Sequence, residues 1–457
     1  MIDIRLSTLA VELDAQLVGT DLIIDDVTSD SRKMHTNSLF VALKGLRFDG
    51  HSFAATAIEN GAKALLVEHK LDVDIPQLIV KNSQKAMGAI GAYVRQQVNP
   101  YSIALTGSNG KTTVKEIVAT ILSQHHKVLF TAGNFNNEIG VPLTLLRLAQ
   151  EHEFGVFELG ANHQGEINYT SSLVTPQVAL VNNVGRAHLE GFGSIEGVAQ
   201  AKSEIFNHLN PDGTAIINAD DDFADFMATK AAAFKQLSFS VSENVNADIK
   251  AVDIIADDSG CYQFSLVVLG QSYPVQLPLA GLHQVSNALA ASAICIALNI
   301  PVADIVTGLS ALTAVKGRMV PHKMGRILLV DDSYNANPTS VDAAISWLKQ
   351  TRGFKCLVLG DLGELGDNSA LLHFEVGEQA KLAGIDDLFC CGQLTESTSK
   401  AFGSEHFSDS DSLAQALKEK INQLPDQVTI LVKGSRSAAM ETVVEELLNA
   451  NRRGEFV

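Results

Sequence analysis

Residue type and spacing promise chemistry most clearly at T-G-S-N-G-K-T-T, Thr106 to Thr113. The run follows the apolar stretch Ile103–Leu105 and opens a helical pattern from Val114 to Leu122. Gly107 and Gly110 let the backbone curl, so that N–H groups from Ser108 and Asn109 through Thr113 can point at phosphate oxygens. The helix N-terminus adds positive potential. Lys111 would then contact the β/γ-phosphates of a nucleotide, and Thr112 would offer its hydroxyl to Mg²⁺. The long form of this pattern, G-x-x-x-x-G-K-S/T, asks for Gly at position 105, where this chain has Leu; the shorter G-x-x-G-K-T holds from Gly107. The plain alternative is a surface turn before a helix, and the strand–loop–helix context favours phosphate binding over it.

Magnesium on a phosphate loop needs an acid nearby. Phe154-Gly-Val-Phe-Glu158 is a strand-like run that ends in a carboxylate, although such a Glu is ordinarily a solvated edge. His188, in A-H-L-E-G-F-G, follows the apolar run Gln177–Val184, and a lone His is more often a structural hydrogen-bonder than a ligand. What favours function for both is their place just beyond a strand's C-terminal end, where open α/β sheets put ligands. Lys202 lies in the helical run Q-A-K-S-E-I-F, where a lysine normally solvates an exposed face. The loop Gly133-Asn-Phe-Asn-Asn-Glu-Ile-Gly140 suits a polar ligand and is equally an ordinary turn.

The elements that must hold these residues alternate between strand and helix patterns, as α/β domains do. Short units come first, with strands predicted at Leu39–Leu43, Ala64–Glu68 and Leu78–Val80 and a helix at Ser52–Asn60 stopped by Gly61. A helix over Ser83–Val98 then leads into a strand at Ser102–Leu105, which sets a boundary near Asn82. Ala247–Leu279 loses the helical period and is expected to be an antiparallel insertion, its short strands joined by D-D-S-G and L-G-Q-S turns. After Thr313–Gly317, a candidate hinge, strands at Arg326–Val330, Lys355–Leu359, Asp387–Cys391 and Gln427–Val432 each precede a helical pattern, giving a doubly wound unit. The expected organisation is thus α/β in three domains: a small N-terminal unit (1–82), a central mononucleotide-binding unit (83–314) and a C-terminal Rossmann-like unit (315–457).

Composition removes several function classes. A formal net charge of −18 argues against a nucleic-acid binder, which would need a basic face to neutralise phosphates; it still permits an anionic small molecule, since local cations and backbone N–H groups can outweigh a distant field. The beginning of the chain lacks a basic stretch followed by an apolar core, and the most apolar helix candidate, Ala288–Ile300, is too short to cross a bilayer. Five scattered cysteines show no metal-ligand spacing, which suits reduced thiols in the cytoplasm. A cytoplasmic monomer with small-molecule partners, no nucleic acid and no membrane, is expected.

Taken in order, these segments resemble the Mur ligase family, which includes the amino-acid-adding enzymes of peptidoglycan precursor synthesis and the folylpolyglutamate synthetases. The resemblance rests on D-S-R-K-M (Asp30–Met34), L-F-V-A-L-K-G-L-R-F-D-G-H (Leu39–His51), T-G-S-N-G-K-T-T, G-N-F-N-N-E-I-G, E-L-G-A-N-H-Q-G-E-I, N-N-V-G-R-A-H-L-E-G-F-G, A-K-S-E-I-F, G-R-M, D-D-S-Y-N-A-N-P, G-D-L-G-E-L-G and V-K-G-S-R-S-A-A-M-E. It implies that Lys111 and Thr112 take ATP phosphates and a first Mg²⁺, that Glu158 is a further magnesium ligand, and that His188 helps hold a second. Lys202 would be the lysine that several family members carry as a carbamate. Asn287, Arg318 and Asp332 would hold adenine or ribose and clamp the nucleotide. Asn136 and Asn137 would contact nucleotide or muramoyl substrate. Ser31, Arg32, Lys44 and the turn from Asp49 to His51 would receive the UDP-sugar. Tyr334, Asn335 and Asn337 would lie near the acceptor, although an Asn-rich strand-to-helix turn is also ordinary capping chemistry.

Two departures from the family pattern matter. G-x-H-N-x-x-N appears as Gly281-Leu-His-Gln-Val-Ser-Asn287, with Gln284 in place of Asn, so Asn287 is retained as a candidate and Gln284 is not. The D-N-P-R run of the diaminopimelate-adding relative is absent, which favours a dipeptide acceptor. The implied reaction is ATP-dependent ligation of D-alanyl-D-alanine to UDP-N-acetylmuramoyl-tripeptide through an acyl phosphate. The alternatives are a family ligase with a different acceptor, a phosphate-loop ATPase or kinase that forms no amide, and a non-catalytic nucleotide-binding scaffold. The intact Lys111, Glu158 and His188 weigh against the last, and a separate C-terminal unit is more than a plain kinase needs.

Overall fold

The computed structural model describes residues 1–45, 48–243, 245–257, 260–424 and 427–456. Part of the expected D-D-S-G turn and two residues of the Leu39–His51 segment lie outside the described residues. Three main sheets carry the chain. The first, of five strands, runs Gln16–Val18, Gln77–Ile79, Ala64–Val67, Ser38–Val41, Asp26–Thr28, parallel except for the pairing of its first two strands. Gly61, at φ +113°, follows the helix Ala54–Glu59.

Helix Ser83–Val98 has the predicted bounds because both ends are specified locally. The Asn82 side chain accepts a hydrogen bond from the Lys85 N–H, and Asn99 leaves the helix in the left-handed conformation. Its apolar stripe, Met87, Ile90 and Val94, is buried in one cluster with Leu39 and Leu66 on one side and Leu145 and Leu173 on the other. A single core therefore joins the first sheet to one face of the second.

The second sheet has nine strands, ordered Gln271–Ala280, Cys261–Val268, Ile249–Ala256, Lys235–Ser240, Thr214–Asn218, Val178–Val181, Tyr101–Thr106, Phe154–Glu158, Val128–Phe130. Its parallel middle consists of apolar runs buried on both faces, such as Ile103, Ala104 and Leu105. The strands of the expected antiparallel insertion are longer, at 8, 8 and 10 residues, and less separate than the sequence suggests. Ile249 and Lys250 pair with Phe239 and Ser240, so the three strands extend the central sheet. Leu269 and Gly270 make the two-residue turn between the last two, both with positive φ (50° and 76°), as a right-twisted hairpin requires. The second face of this sheet is covered by helix Leu282–Ala297, whose Val285 and Leu289 share a core with Ile117 and Ile121 of helix Lys111–Leu122. Among the described residues no helix is long and apolar enough to cross a membrane.

The third sheet has the four predicted parallel strands, observed at Ile327–Asp332, Val428–Lys433, Phe354–Gly360 and Asp387–Cys391. Two edge strands flank them, Val320–Met324 and His406–Phe407. The expected hinge, Thr313–Gly317, contains neither helix nor strand. The third sheet's unit docks on the second sheet's extension: a Cβ added at Gly260 would sit 2.4 Å from the indole nitrogen of Trp347, and the Tyr262 hydroxyl reaches the Gln350 side chain at 3.3 Å.

Candidate functional site

The strands Tyr101–Thr106, Phe154–Glu158, Val178–Val181 and Ile327–Asp332 deliver their C-terminal ends to one cavity of about 1060 Å³. Its wall includes Ser108 to Thr113, Asn136, Asn137, Glu158, His188, Asn287, Arg318, Asp332, Tyr334, Asn335 and Asn337. Residues far apart in sequence are thus brought together from two sheets.

The phosphate loop is braced from below by the next strand's end. Ser108 N–H donates to the Asn183 carbonyl (3.0 Å), and Asn109 N–H donates to the Asn183 side chain (2.8 Å). The amides of Asn182 and Asn183 both donate to the Asn109 carbonyl. Gly110 caps helix Lys111–Leu122 at φ +79°; a Cβ there would lie 2.3 Å from Asn287 Oδ1 and 2.5 Å from Asn182 Nδ2. Those two side chains are bonded to each other (3.0 Å), and Gln284 Oε1 accepts from Asn287 Nδ2 (3.0 Å). Gln284, set aside in the sequence, is therefore what orients Asn287.

Lys111 folds back over its own loop, its Nζ donating to the Gly107 carbonyl at 2.6 Å. Burial pulls its pKa down, Glu158 opposes that shift and Arg318 adds to it. Glu158 is 2% exposed. Its Oε1 accepts from Asn136 Nδ2 (2.8 Å), and its Oε2 is buried with no hydrogen-bond partner. Gly160 must be a glycine for this contact, since a Cβ there would meet the Asn136 side chain at 2.9 Å. Asn137 instead turns its oxygen to the Gly140 N–H (2.9 Å) and steadies the start of the short helix Gly140–Leu145.

Lys202 departs from the solvated-face expectation. It is 2% exposed, on helix Ile195–Ser203, and among the described residues no carboxylate forms an ion pair with it. Burial first, and the Lys111 charge second, hold its pKa well below the usual lysine value. It is not itself on the cavity wall. His188, in the left-handed region at φ 54°, turns Nδ1 against Glu364 of the third sheet's unit, which keeps the Glu364 carboxyl below its ordinary range.

The part of the wall that the third sheet's unit supplies is equally ordered. Asp332 pairs with the buried Lys433 (2.5 Å) and accepts from the Met319 N–H (3.2 Å). Arg318 lies 4.3 Å over the Tyr334 ring. Asn337 caps helix Pro338–Gln350 in a capping box with Ser340 and also donates to Asn109 Oδ1 (2.9 Å). That last bond seats the third sheet's unit on the phosphate loop. Asn335 Oδ1 accepts the Arg436 N–H (3.1 Å), so Lys433 and Arg436, both on the wall, are site residues that individual motif positions did not single out.

Ser31, Arg32, Lys44, Asp49 and His51 do not line this cavity. Arg32 forks onto Asp30 (2.8 and 3.0 Å), whose carboxyl is held down at about 2 by that hydrogen bonding. The Ser31 carbonyl accepts from Asn60, and Lys44 bridges to Asp49. His51 is committed on both sides: Nδ1 lies 2.5 Å from the Asp49 carboxylate and Nε2 accepts the Glu68 N–H (2.9 Å). Its ring fixes the turn and has no free nitrogen to offer a ligand.

Comparison with known proteins agrees with this architecture. Family models for the Mur ligase family catalytic domain, the Mur ligase middle domain and the Mur ligase glutamate ligase domain match residues 23–107, 105–295 and 317–436. The UDP-N-acetylmuramoyl-tripeptide--D-alanyl-D-alanine ligase of Escherichia coli (strain K12) is 49% identical, covering 98% of this chain and 99% of its own length. The Bacillus subtilis (strain 168) protein of the same name is 33% identical over 94% of each. Among solved structures, MurF from Acinetobacter baumannii superposes with a TM-score of 0.94 at 38% identity, covering 98% of this chain and 99% of that one. The Thermotoga maritima MurF ligase in complex with ADP gives 0.84 at 28% identity, over 94% and 98%. With all three domain models in sequence order and full-length relatives at this identity, the chain belongs to the Mur ligase family.

Proposed function

We propose that this protein is an ATP-dependent amide ligase that joins D-alanyl-D-alanine to UDP-N-acetylmuramoyl-tripeptide, giving UDP-N-acetylmuramoyl-pentapeptide, ADP and phosphate for peptidoglycan precursors. The observation that carries the reading is the meeting of phosphate loop, buried carboxylate and Asn337 around one cavity. Relatives bearing this name align over essentially the whole chain. The substrates divide over three units: UDP-sugar on 1–82, ATP on 83–314, acceptor on 315–457. The protein is read as a cytoplasmic monomer that acts on small molecules.

The site residues suit Mg²⁺, which binds through one or two carboxylates plus substrate phosphate oxygens. Glu158 Oε2 is a buried acceptor without a partner. Among the described residues no three His, Cys, Asp or Glu side chains group to hold a metal unaided. Thr112 and Glu158 would hold the first ion, and His188 with carbamylated Lys202 would help hold a second. Bound magnesium supplies charge neutralisation on the phosphates.

The tripeptide's terminal carboxylate attacks the γ-phosphorus of ATP, and ADP leaves. The acyl phosphate has the leaving group that a free carboxylate lacks, so the dipeptide's neutral amine can add and expel phosphate. Lys111, once drawn from the Gly107 carbonyl to the phosphates, stabilises charge that builds during transfer. The loop N–H groups orient the phosphates, Arg318 and Asp332 clamp the nucleoside with Asn287, and Asn335 and Tyr334 line the acceptor side. Asn337 on Asn109 closes the two units around the reactants and excludes water that would hydrolyse the acyl phosphate. Mixing purified protein with ATP, Mg²⁺ and UDP-N-acetylmuramoyl-tripeptide should release phosphate only when D-alanyl-D-alanine is added. Equal release with a single amino acid would change the acceptor; release without either substrate would leave only an ATPase.

A further inference from the structure

Lys115 has no part in the chemistry above, yet it is a charged side chain with 0% exposure. It follows Lys111 by one turn on helix Lys111–Leu122. Its Nζ lies 3.1 Å from Glu116 Oε1, 3.9 Å from Glu158 Oε2 and 3.5 Å from the Gly133 carbonyl, with the Phe130 ring centre 5.9 Å away. A buried ammonium is costly unless it compensates a charge and is hydrogen-bonded. The oxygen it faces on Glu158 is the one with no hydrogen bond, while Asn136 holds the other oxygen. Gly133 and Asn136 both belong to the polar loop that precedes helix Gly140–Leu145. At 3.9 Å the ammonium attracts the carboxylate without occupying the lone pairs of Oε2.

We propose that Lys115 is a positioning residue for magnesium binding. It balances the Glu158 charge, holds Oε2 open toward the nucleotide, and ties the Gly133–Gly140 loop to the phosphate-loop helix. The inference rests on Glu158 being a magnesium ligand. A lysine that only stabilised the fold would raise the melting temperature and leave metal affinity alone.

The test is calorimetric ADP binding to the full chain across a Mg²⁺ titration, for the wild type, Glu158→Gln, Lys115→Met and the double variant. Losing an outer partner of a metal ligand typically weakens affinity about 10–100-fold. Lys115→Met should therefore raise the Mg²⁺ midpoint by about tenfold or more, and the double variant should be no worse than Glu158→Gln alone. A Lys115→Met midpoint within twofold of wild type, or effects that multiply in the double variant, would overturn the proposal. An unchanged Glu158→Gln midpoint would overturn the magnesium assignment beneath it. Should Lys115→Met fail to fold, Lys115→Arg takes its place. The larger planar head displaces the charge, so a raised midpoint supports the proposal and an unchanged one refutes it.

Discussion

Replacing Gly110 with alanine adds one methyl group where the phosphate loop turns into its helix. Two costs follow from the geometry. Gly110 sits at φ +79°, a conformation that costs an L-residue with a Cβ about 1–2 kcal/mol. The new Cβ would also lie 2.3 Å from Asn287 Oδ1 and 2.5 Å from Asn182 Nδ2, so those side chains must retreat and their mutual hydrogen bond breaks. That bond is worth about 0.5–1.5 kcal/mol. The sum, about 1.5–3.5 kcal/mol, corresponds to a melting-temperature drop of roughly 3–14 °C for a unit of this size. Gly165→Ala is the control: its φ is +87° and nothing lies within 4 Å of its added Cβ, so it bears the backbone cost alone. Thermal melting with ADP calorimetry on both variants reads the difference. Gly110→Ala should melt below Gly165→Ala and bind ADP at least about tenfold more weakly, since a 1.4 kcal/mol loss is one decade. Equal melting of the two variants with wild-type ADP affinity would refute the reasoning.

Lys111→Ala should fold normally and lower kcat by about 10²–10³-fold, the scale for removing one donor to transition-state charge; near-wild-type turnover in a steady-state assay would remove Lys111 from the reaction. Lys202, whose pKa burial holds well below the usual lysine value, should take up carbon dioxide: enzyme stripped of it should lose activity and regain it with bicarbonate, whereas Lys202→Met should be inactive under both conditions. Activity indifferent to bicarbonate would count against the carbamate. Burial lowers the His283 pKa from 6.5 to about 4, so between those values the unfolded chain holds the extra proton and stability falls as pH drops. Linkage puts the loss at about 3 kcal/mol across that window. Chemical denaturation at pH 4 and pH 7 should show His283→Gln losing less stability than wild type; identical losses would contradict the assignment.

What the sequence made legible was local. Helix Ser83–Val98 carries its own caps, and the phosphate loop its own glycines, so both follow from neighbouring residues. The four parallel strands of the third sheet are buried apolar runs, visible as such in sequence. Val320–Met324 was not legible because V-P-H-K-M contains Pro321, His322 and Lys323, tolerated only at a sheet edge. The joining of Ile249–Ala256 to the central sheet depends on pairing with Phe239 and Ser240, which no local pattern announces. The same limit applies to the site. A lysine's burial is set by what folds over it, so Lys202 looks like a solvated helix position until the sheets are assembled. Histidine is ambiguous in the opposite sense: His51 sits in a motif yet spends both nitrogens on Asp49 and Glu68. Gln284 looked like a departure from a pattern and instead supplies the acceptor that orients Asn287.

The most direct test of the central claim is oxygen tracing through the reaction. UDP-N-acetylmuramoyl-tripeptide labelled with ¹⁸O in its terminal carboxylate would be turned over with ATP and D-alanyl-D-alanine, and the released phosphate weighed by mass spectrometry. Passage through an acyl phosphate predicts one ¹⁸O atom carried into each phosphate released. Unlabelled phosphate, with ATP consumed, would mean that water rather than the substrate carboxylate attacks the γ-phosphorus, and the account would fail.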